Sequence, residues 1–285
     1  MHIKQVLKKG MAITLCLMTA IGCLNNVSAM NTEKNNDDYY REVKHYIGSD
    51  LQKYRSLNNI SINDNRGELV SVVEQNVYVS ETKDEQGNII DSHLMNAKEV
   101  EEFKTRDSTH MGDDSTSKGR LSITLQLFRE ENKIYRAYAT AKWALGAGTA
   151  SQAPGPGDDF VALTWGGNNN LVLKSKSISG RDYSNKSITF SQAKANSYKG
   201  YCWSFNEETS NNYLKSMQAQ VSIGRVNNSS QSKQTSMRFT YIHTYQSATG
   251  SISFSGGTAG VAASVSLSST PKKWQIEVDV PGITY

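Results

Sequence analysis

The sequence predicts a mainly β protein, an antiparallel β-sandwich or open barrel preceded by a small α+β region. The first observation is a period of two from Arg120 onward, where Leu121, Ile123 and Leu125 alternate with polar residues. The second is a series of about ten such runs, separated by turns rich in Gly, Asn and Ser. The third is that the chain has only 4 prolines and almost none within these runs, as a hydrogen-bonded sheet requires.

The N-terminus has the pattern of a bacterial signal peptide. Three lysines precede an apolar stretch at residues 11–24, which is too short for a membrane span. Val27, Ser28 and Ala29 then form a small-x-small cleavage signal, which predicts a secreted protein that begins at Met30. A second interpretation stays open, because residues 20–22 before Cys23 resemble a lipoprotein box with Ala20 in place of the preferred Leu. Cleavage there would leave the protein lipid-anchored at the cell surface through Cys23.

Charge divides the rest of the chain. Residues 30–118 hold 11 Lys/Arg and 18 Asp/Glu, whereas residues 119–285 hold 17 and 9. The net charges are therefore −7 and +8, which indicates two regions with different surfaces or a basic domain that faces an anionic partner. We predict a signal peptide at 1–29, an acidic α+β region at 30–107, a polar linker at 108–118 and a basic β-sandwich domain at 119–285.

Within the acidic region, apolar residues at intervals of three and four predict a helix over residues 36–55. Asn96 followed by Glu99 predicts a capping box at the start of a second helix. A short helical stretch is also predicted around residues 191–197, within the otherwise β-rich domain.

One resemblance can be stated from the motifs ATAKW at 139–143 and DDFVALTW at 158–165, which flank a Gly/Pro loop. Together they resemble uncharacterised secreted β-rich proteins of Gram-positive bacteria. The resemblance covers mainly residues 75–170. It implies an exported sandwich domain and assigns no functional residue.

No catalytic, cofactor-binding or metal-binding site is predicted, and no cofactor is expected. Four polar features of the sequence bear on that conclusion. His110, Asp113 and Asp114 are interpreted as part of a solvated linker rather than a metal site. Cys202 is interpreted as a half-buried cysteine, because no neighbouring base that could activate it as a nucleophile is identified. Asp158 and Asp159 read as a strand boundary rather than a Ca²⁺ site. The Gly-rich segment at 166–170 reads as a turn, since it has no phosphate-binding Lys-Ser/Thr.

The segment 247–268 supports a sharper hypothesis. Two runs of alternating apolar and small polar residues surround Gly256 and Gly257, and both are long enough for tilted transmembrane strands. They resemble the membrane-inserting hairpins of pore-forming toxins. We call its apolar side the hairpin face, which comprises Ile252, Phe254, Val261, Val265 and Leu267. The alternative is an ordinary hairpin of the sandwich, with this face toward the core.

The leading functional interpretation is a secreted or surface-attached module that has a binding or structural role and does not catalyse a reaction. Its partner is unknown; an anionic cell-wall polymer, a carbohydrate or a membrane would suit a basic protein rich in Tyr and Trp, and no nucleic acid is expected. The second interpretation is a membrane-active toxin or bacteriocin that uses the 247–268 hairpin. A secreted enzyme of unknown class is the third.

Overall fold

A computed structural model gives the fold of the chain. Residues 31–285 form one compact unit. The predicted cleavage site and Cys23 lie outside the described residues. The structure describes residues 39–61, 65–86, 88–105, 116–130, 134–145, 157–206, 213–226, 233–245, 251–258, 260–268 and 272–285.

Fourteen strands and two short helices make up this described part of the chain. In chain order they are β1 (Arg41–Tyr46), α1 (Asp50–Leu57), β2 (Glu68–Lys83), β3 (Ile89–Leu94), α2 (Ala97–Thr105), β4 (Thr116–Arg129), β5 (Tyr135–Leu145), β6 (Asp158–Trp165), β7 (Leu171–Asp182), β8 (Phe190–Asn196), β9 (Gly200–Asn206), β10 (Leu214–Arg225), β11 (Gln234–Thr244), β12 (Ile252–Gly256), β13 (Ala263–Leu267) and β14 (Lys273–Thr284).

The strands form a sandwich of antiparallel sheets that do not close into a barrel, which confirms the predicted class. The seven-stranded sheet has the order β1-β2-β4-β5-β10-β7, and β3 extends the edge of β2 beyond β1. The five-stranded sheet has the order β14-β11-β6-β9-β8. Strands β12 and β13 pair only with each other and form a separate hairpin.

The core lies between the two larger sheets and follows from the period of two. Leu121, Ile123 and Leu125 of β4 are buried in one cluster with Phe239 of β11 and Ile276 of β14. Each fully buried side chain of this size contributes about 1.5–3 kcal/mol relative to exposure. The alternating pattern of the sequence thus builds the interface between the sheets.

The acidic and basic regions share the seven-stranded sheet. Strand β2 of the acidic region pairs with β4 from Glu68↔Arg129 to Thr82↔Thr116. The proposed linker at 108–118 lies mostly outside the described residues, and β4 already begins at Thr116. Whether residues 119–285 fold as a domain of their own stays a prediction, but in the intact chain their sheet is completed by strands of the acidic region.

One helix prediction was confirmed, one was correct only in its C-terminal part, and one was wrong. Residues 41–46 form an edge strand on β2, and only Asp50–Leu57 is helical, because sheet pairing overrides the apolar spacing that predicted one long helix. The stretch around 191–197 belongs to strand β8, which pairs with β9. The capping box of α2 is present: the Asn96 N–H donates to Glu99 (2.8 Å), and the Glu99 N–H donates to Asn96 Oδ1 (3.1 Å).

Candidate functional site

A cluster of charged side chains lies between the two larger sheets. His243 of β11 is its centre. The His243 Nδ1 atom lies 3.0 Å from Asp159 Oδ2 on β6. Its Nε2 atom lies 3.3 Å from Glu81 Oε1 on β2, which makes an ion pair without hydrogen-bond geometry. Glu81 therefore comes from the seven-stranded sheet, and the other two residues come from the five-stranded sheet.

Further hydrogen bonds hold both carboxylates in place. The Tyr241 hydroxyl donates to Asp159 Oδ2 (2.8 Å), and the Thr244 N–H donates to Asp159 Oδ1 (3.0 Å). The Tyr213 hydroxyl donates to Glu81 Oε2 (3.1 Å). The indole of Trp274 packs beside the imidazole, with ring centroids 4.9 Å apart. Both acids are thus held by neutral donors as well as by the histidine, as buried carboxylates require.

The cluster shifts the pKa of its members. Burial alone lowers the pKa of His243, but the charge and hydrogen bond of Asp159, together with Glu81, outweigh burial and raise the pKa well above 6.5. For Glu81, burial acts to raise the pKa, but the ion pair with His243, the hydrogen bond from Tyr213 and the charge of Lys83 lower it below 4.5. At neutral pH His243 is therefore a cation between two carboxylates.

This arrangement is suited to holding the sheets together. Glu81, Asp159 and His243 expose only 7%, 3% and 4% of their surface, so the cluster is closed to a dissolved substrate. Its His243–Glu81 ion pair joins one sheet to the other through a buried interior, where electrostatic attraction is strong. We therefore assign the cluster a structural role.

The 247–268 hairpin lies on the outer side of the five-stranded sheet. Ile252, Val265 and Leu267 of the hairpin face are buried there, and Phe254 is half-buried. They contact the side chains of that sheet which point away from the main core, namely Phe160, Ala162, Cys202 and Ile242. Val261 does not share the face: it lies in the turn before β13 and is 55% exposed, so its inclusion was wrong.

Hydrogen bonds and one close backbone approach fix the hairpin to the sheet. The Thr164 hydroxyl donates to the Ala263 carbonyl (2.6 Å), and the Ala262 N–H donates to the Ser236 hydroxyl (3.0 Å). A Cβ at Gly166 would lie 2.2 Å from the Val261 carbonyl oxygen, so only glycine allows this approach. The hairpin thus forms a third layer of the sandwich.

Other residues singled out in the sequence play local roles or lie outside the described part. Cys202 is buried, and burial raises its thiol pKa to about 12, which disfavours a nucleophilic thiolate. Asp158 and Asp159 point to opposite sides of β6, so they do not share a ligand. Residues 166–170 form the predicted turn, with positive φ at Gly167, Asn168 and Asn169. His110, Asp113, Asp114 and Cys23 lie outside the described residues.

The outer side of the seven-stranded sheet differs from that of its partner. Over β1, β2 and the near ends of β4 and β5 it is covered by the two helices, where Tyr54 of α1 packs with Phe128 and Tyr138. Over the rest of β4, β5, β10 and β7 it is uncovered by any described segment. We call this area the open face; it comprises Arg120, Ser122, Thr124, Thr140, Lys142, Ser175, Ser177, Ser179, Arg181, Ser216, Gln218 and Gln220.

Comparison with known proteins gives no family. No protein-family model and no curated protein matches the chain. Among solved structures, the collagen-binding domain of a Staphylococcus aureus adhesin is similar over 51% of this chain and 87% of its own, with 9% identity and a TM-score of 0.27. The T6 backbone pilin of Streptococcus pyogenes is similar over 72% and 61%, with 8% identity and a TM-score of 0.30.

A third similar structure concerns the Fap1 fimbriae of Streptococcus parasanguinis. It covers 57% of this chain and 80% of its own length, with 10% identity and a TM-score of 0.28. Scores this low do not carry any function to this chain. The functional argument therefore rests on the chain's own side chains.

Neither the buried cluster nor the open face was predicted from the sequence, although each left a signal. Glu81 follows Val77 and Val79 at inward positions of β2, and His243 follows Phe239 and Tyr241 in the same way on β11. A charged residue at an inward position of a strand predicts a buried partner.

Among the described residues, no helix is long and apolar enough to cross a membrane.

Proposed function

We propose that the chain is an exported, non-catalytic binding or structural module that acts outside the cytoplasm. The leader sequence supports export, with Met30 as the mature N-terminus and Cys23 as the lipid-anchored alternative. The tightly bonded sandwich supports a rigid scaffold. Its partner is external to the chain and is contacted through the surface.

The observation that carries this proposal is the contrast between the closed cluster and the open face. The acid–base cluster of Glu81, Asp159 and His243 is buried and spends its hydrogen bonds on the fold. A second described cluster, in which His93 lies 2.7 Å from Asp91 and 3.1 Å from Glu99, is partly exposed and links β3 to α2. The polar groups of the open face are instead hydroxyls, amides and cations on one side of a sheet. Such a surface suits binding by many weak polar contacts.

A membrane-active hairpin remains the second hypothesis, and the docking of β12 and β13 defines what it would require. The hairpin would have to leave the sheet and expose Phe160, Ala162 and Ile242, which it now covers. Leakage of dye from liposomes in the presence of the folded protein would favour this function. A secreted enzyme stays the third interpretation.

The proposal is tested by fractionating cells that produce the protein. We expect the mature chain, beginning at Met30, to be found with envelope fragments and to be released by salt. An acylated N-terminus at Cys23 would show that the chain is lipid-anchored instead, and detergent would then be needed to release it. An uncleaved chain confined to the cytoplasm would overturn the proposal.

A further inference from the structure

The four strands under the open face carry an extreme charge imbalance. Strands β4, β5, β7 and β10 contain one acid, Asp182, which is buried. Their ten basic residues are Lys118, Arg120, Arg129, Arg136, Lys142, Lys174, Lys176, Arg181, Lys215 and Arg225. By contrast, the strands of the five-stranded sheet hold three basic and four acidic residues. The positive charge of residues 119–285 is thus concentrated in one half of one sheet.

Strand register gathers the key cations into one row. Ser122, Lys142, Ser216 and Arg181 lie side by side across β4, β5, β10 and β7. Lys142 and Arg181 are two strands apart, or about 10 Å at the usual strand spacing. Arg120 lies diagonally next to Lys142, about 7–8 Å away. The result is a line of positive charge that crosses four strands, from Arg120 on β4 to Arg181 on β7.

These cations are not neutralised by the described residues. Arg129 pairs with Glu68, and Arg136 pairs with Glu130 at the far end of the face. Arg120, Lys142 and Arg181 form no ion pair with any described carboxylate; Arg181 donates only to the Asn185 carbonyl and the Ser187 hydroxyl. Like charges held this close repel one another, so an anion would relieve the repulsion.

The groups between the cations indicate what kind of anion would fit. Ser122, Thr124, Thr140, Ser216 and Gln218 present hydroxyls and an amide that can both donate and accept hydrogen bonds. The large exposed hydrophobic side chains of the described chain lie elsewhere, and Tyr138, an aromatic residue on this side, is only 7% exposed. Stacked bases or sugar rings need an accessible aromatic platform. A flexible polymer that carries hydroxyls and phosphates does not need an aromatic platform.

We propose that the open face binds an extended polymer of phosphodiester-linked polyols, with its phosphates on Arg120, Lys142 and Arg181 and its hydroxyls on the Ser/Thr/Gln rows. This proposal rests on the function proposed above and names the surface and the chemical class of the partner. Phosphate contacts made by Lys and Arg are largely electrostatic, so the binding is salt-dependent.

The test is a binding titration of the mature chain, residues 30–285, with synthetic poly(glycerol phosphate) at low salt. We expect the double variant Lys142→Gln, Arg181→Gln to bind about tenfold or more weakly and to lose about one unit or more of salt slope. The matched control Lys98→Gln, Lys194→Gln removes the same charge from two exposed positions off the face, and we expect it to bind within about twofold of wild type. Lys142→Arg, Arg181→Lys keeps the charge and should bind almost normally.

Three outcomes would overturn this assignment. Wild type shows no binding to poly(glycerol phosphate); the control weakens binding as much as the open-face variant; or single-stranded poly(U) or dextran sulfate of the same charge density binds more tightly. Retention of the protein in the envelope fraction, together with any of these outcomes, would leave the proposed function standing and remove only its partner and surface.

Discussion

The buried cluster around His243 and the open face hold similar kinds of side chain in opposite conditions. In the cluster, one cation lies between two carboxylates, and two tyrosine hydroxyls and the backbone N–H of Thr244 donate to those carboxylates. On the open face, cations lie among hydroxyls with no described carboxylate opposite them. The buried cluster therefore joins the two sheets. The open face, by contrast, keeps a positive charge that an external anion could balance.

This contrast indicates which part of a β-sandwich carries its function. Close approach of an acid and a histidine is often the first sign of an active site, but here burial removes both from solvent. Function is better sought where charge is left unbalanced and accessible. The two regions should therefore respond in opposite ways to mutation: the cluster through stability, the open face through binding.

The largest effect is expected from breaking the cluster. Asp159→Ala removes the strongest partner of His243 and leaves a buried cation paired with Glu81 alone, so we expect a loss of about 3–5 kcal/mol in the free energy of unfolding. Urea denaturation followed by tryptophan fluorescence measures it, since Trp274 packs beside the imidazole. Gln218→Ala on the open face is the matched control and should change stability by less than about 0.5 kcal/mol. Equal losses in both variants would erase the distinction between the two regions.

The next largest loss of stability is expected from changing the hairpin face that packs on the five-stranded sheet. Leu267→Asp places a charge against Phe160 and Ile242, so we expect a loss of about 3 kcal/mol or more. Ser253→Asp on the exposed side of the same hairpin should be nearly neutral, as should Val261→Ala. Thermal melting with a liposome-leakage assay on each variant checks this. A folded Leu267→Asp that has lost a leakage activity present in wild type would favour the membrane hypothesis instead.

Stability should also fall with rising pH because of His243. Its pKa is raised on folding, so its contribution is complete below pH 6.5 and is lost as the pH rises through the folded-state pKa. Glu81 has a lowered pKa, so its contribution is lost in acid, below its usual 4.5. Between pH 7 and 8.5, we expect the free energy of unfolding to fall by up to about 1.4 kcal/mol per pH unit.

The control for this pH effect is His243→Gln. It should be less stable than wild type at pH 6.5 and should show a clearly flatter profile above it. A wild-type profile that rises over the same range would contradict the assignment of a histidine cation in the cluster.

The smallest effect on stability is expected on the open face. Lys142→Gln, Arg181→Gln removes two like charges from exposed positions, and we expect the free energy of unfolding to stay within about 0.5 kcal/mol of wild type at every pH. Chemical denaturation at pH 6.5 and 8.5 checks it. A marked loss of stability would show that these cations support the fold, which would weaken their separation from the cluster.

Much of the fold could be predicted because it depends on consecutive residues. Alternation of Leu121, Ile123 and Leu125 identified an inward-facing strand, and Asn96 with Glu99 identified a helix start. The same local logic failed where a distant partner decided the outcome. Residues 41–46 have helical apolar spacing but form a strand because the edge of β2 offers them hydrogen bonds.

The two regions compared above could not be predicted in this way. Asp159 and His243 are 84 residues apart in the chain, and Glu81 lies on the other sheet. The cations of the open face look scattered in the sequence, and they form a row only because β10 inserts between β5 and β7 in one particular register. A shift of one residue would send every side chain of a strand to the opposite side.

Local patterns in the sequence predicted a β fold, the capped start of α2, and the apolar side of the 247–268 hairpin apart from Val261, while the leader stays a prediction. Which side chains meet depends on the tertiary structure: the ion pair between the sheets at His243, the docking of the hairpin, and the placement of Lys142 and Arg181 in one row with Arg120 diagonal to Lys142. The physical reason is that alternation is set locally by backbone geometry, whereas strand order and register are set by pairings between distant segments.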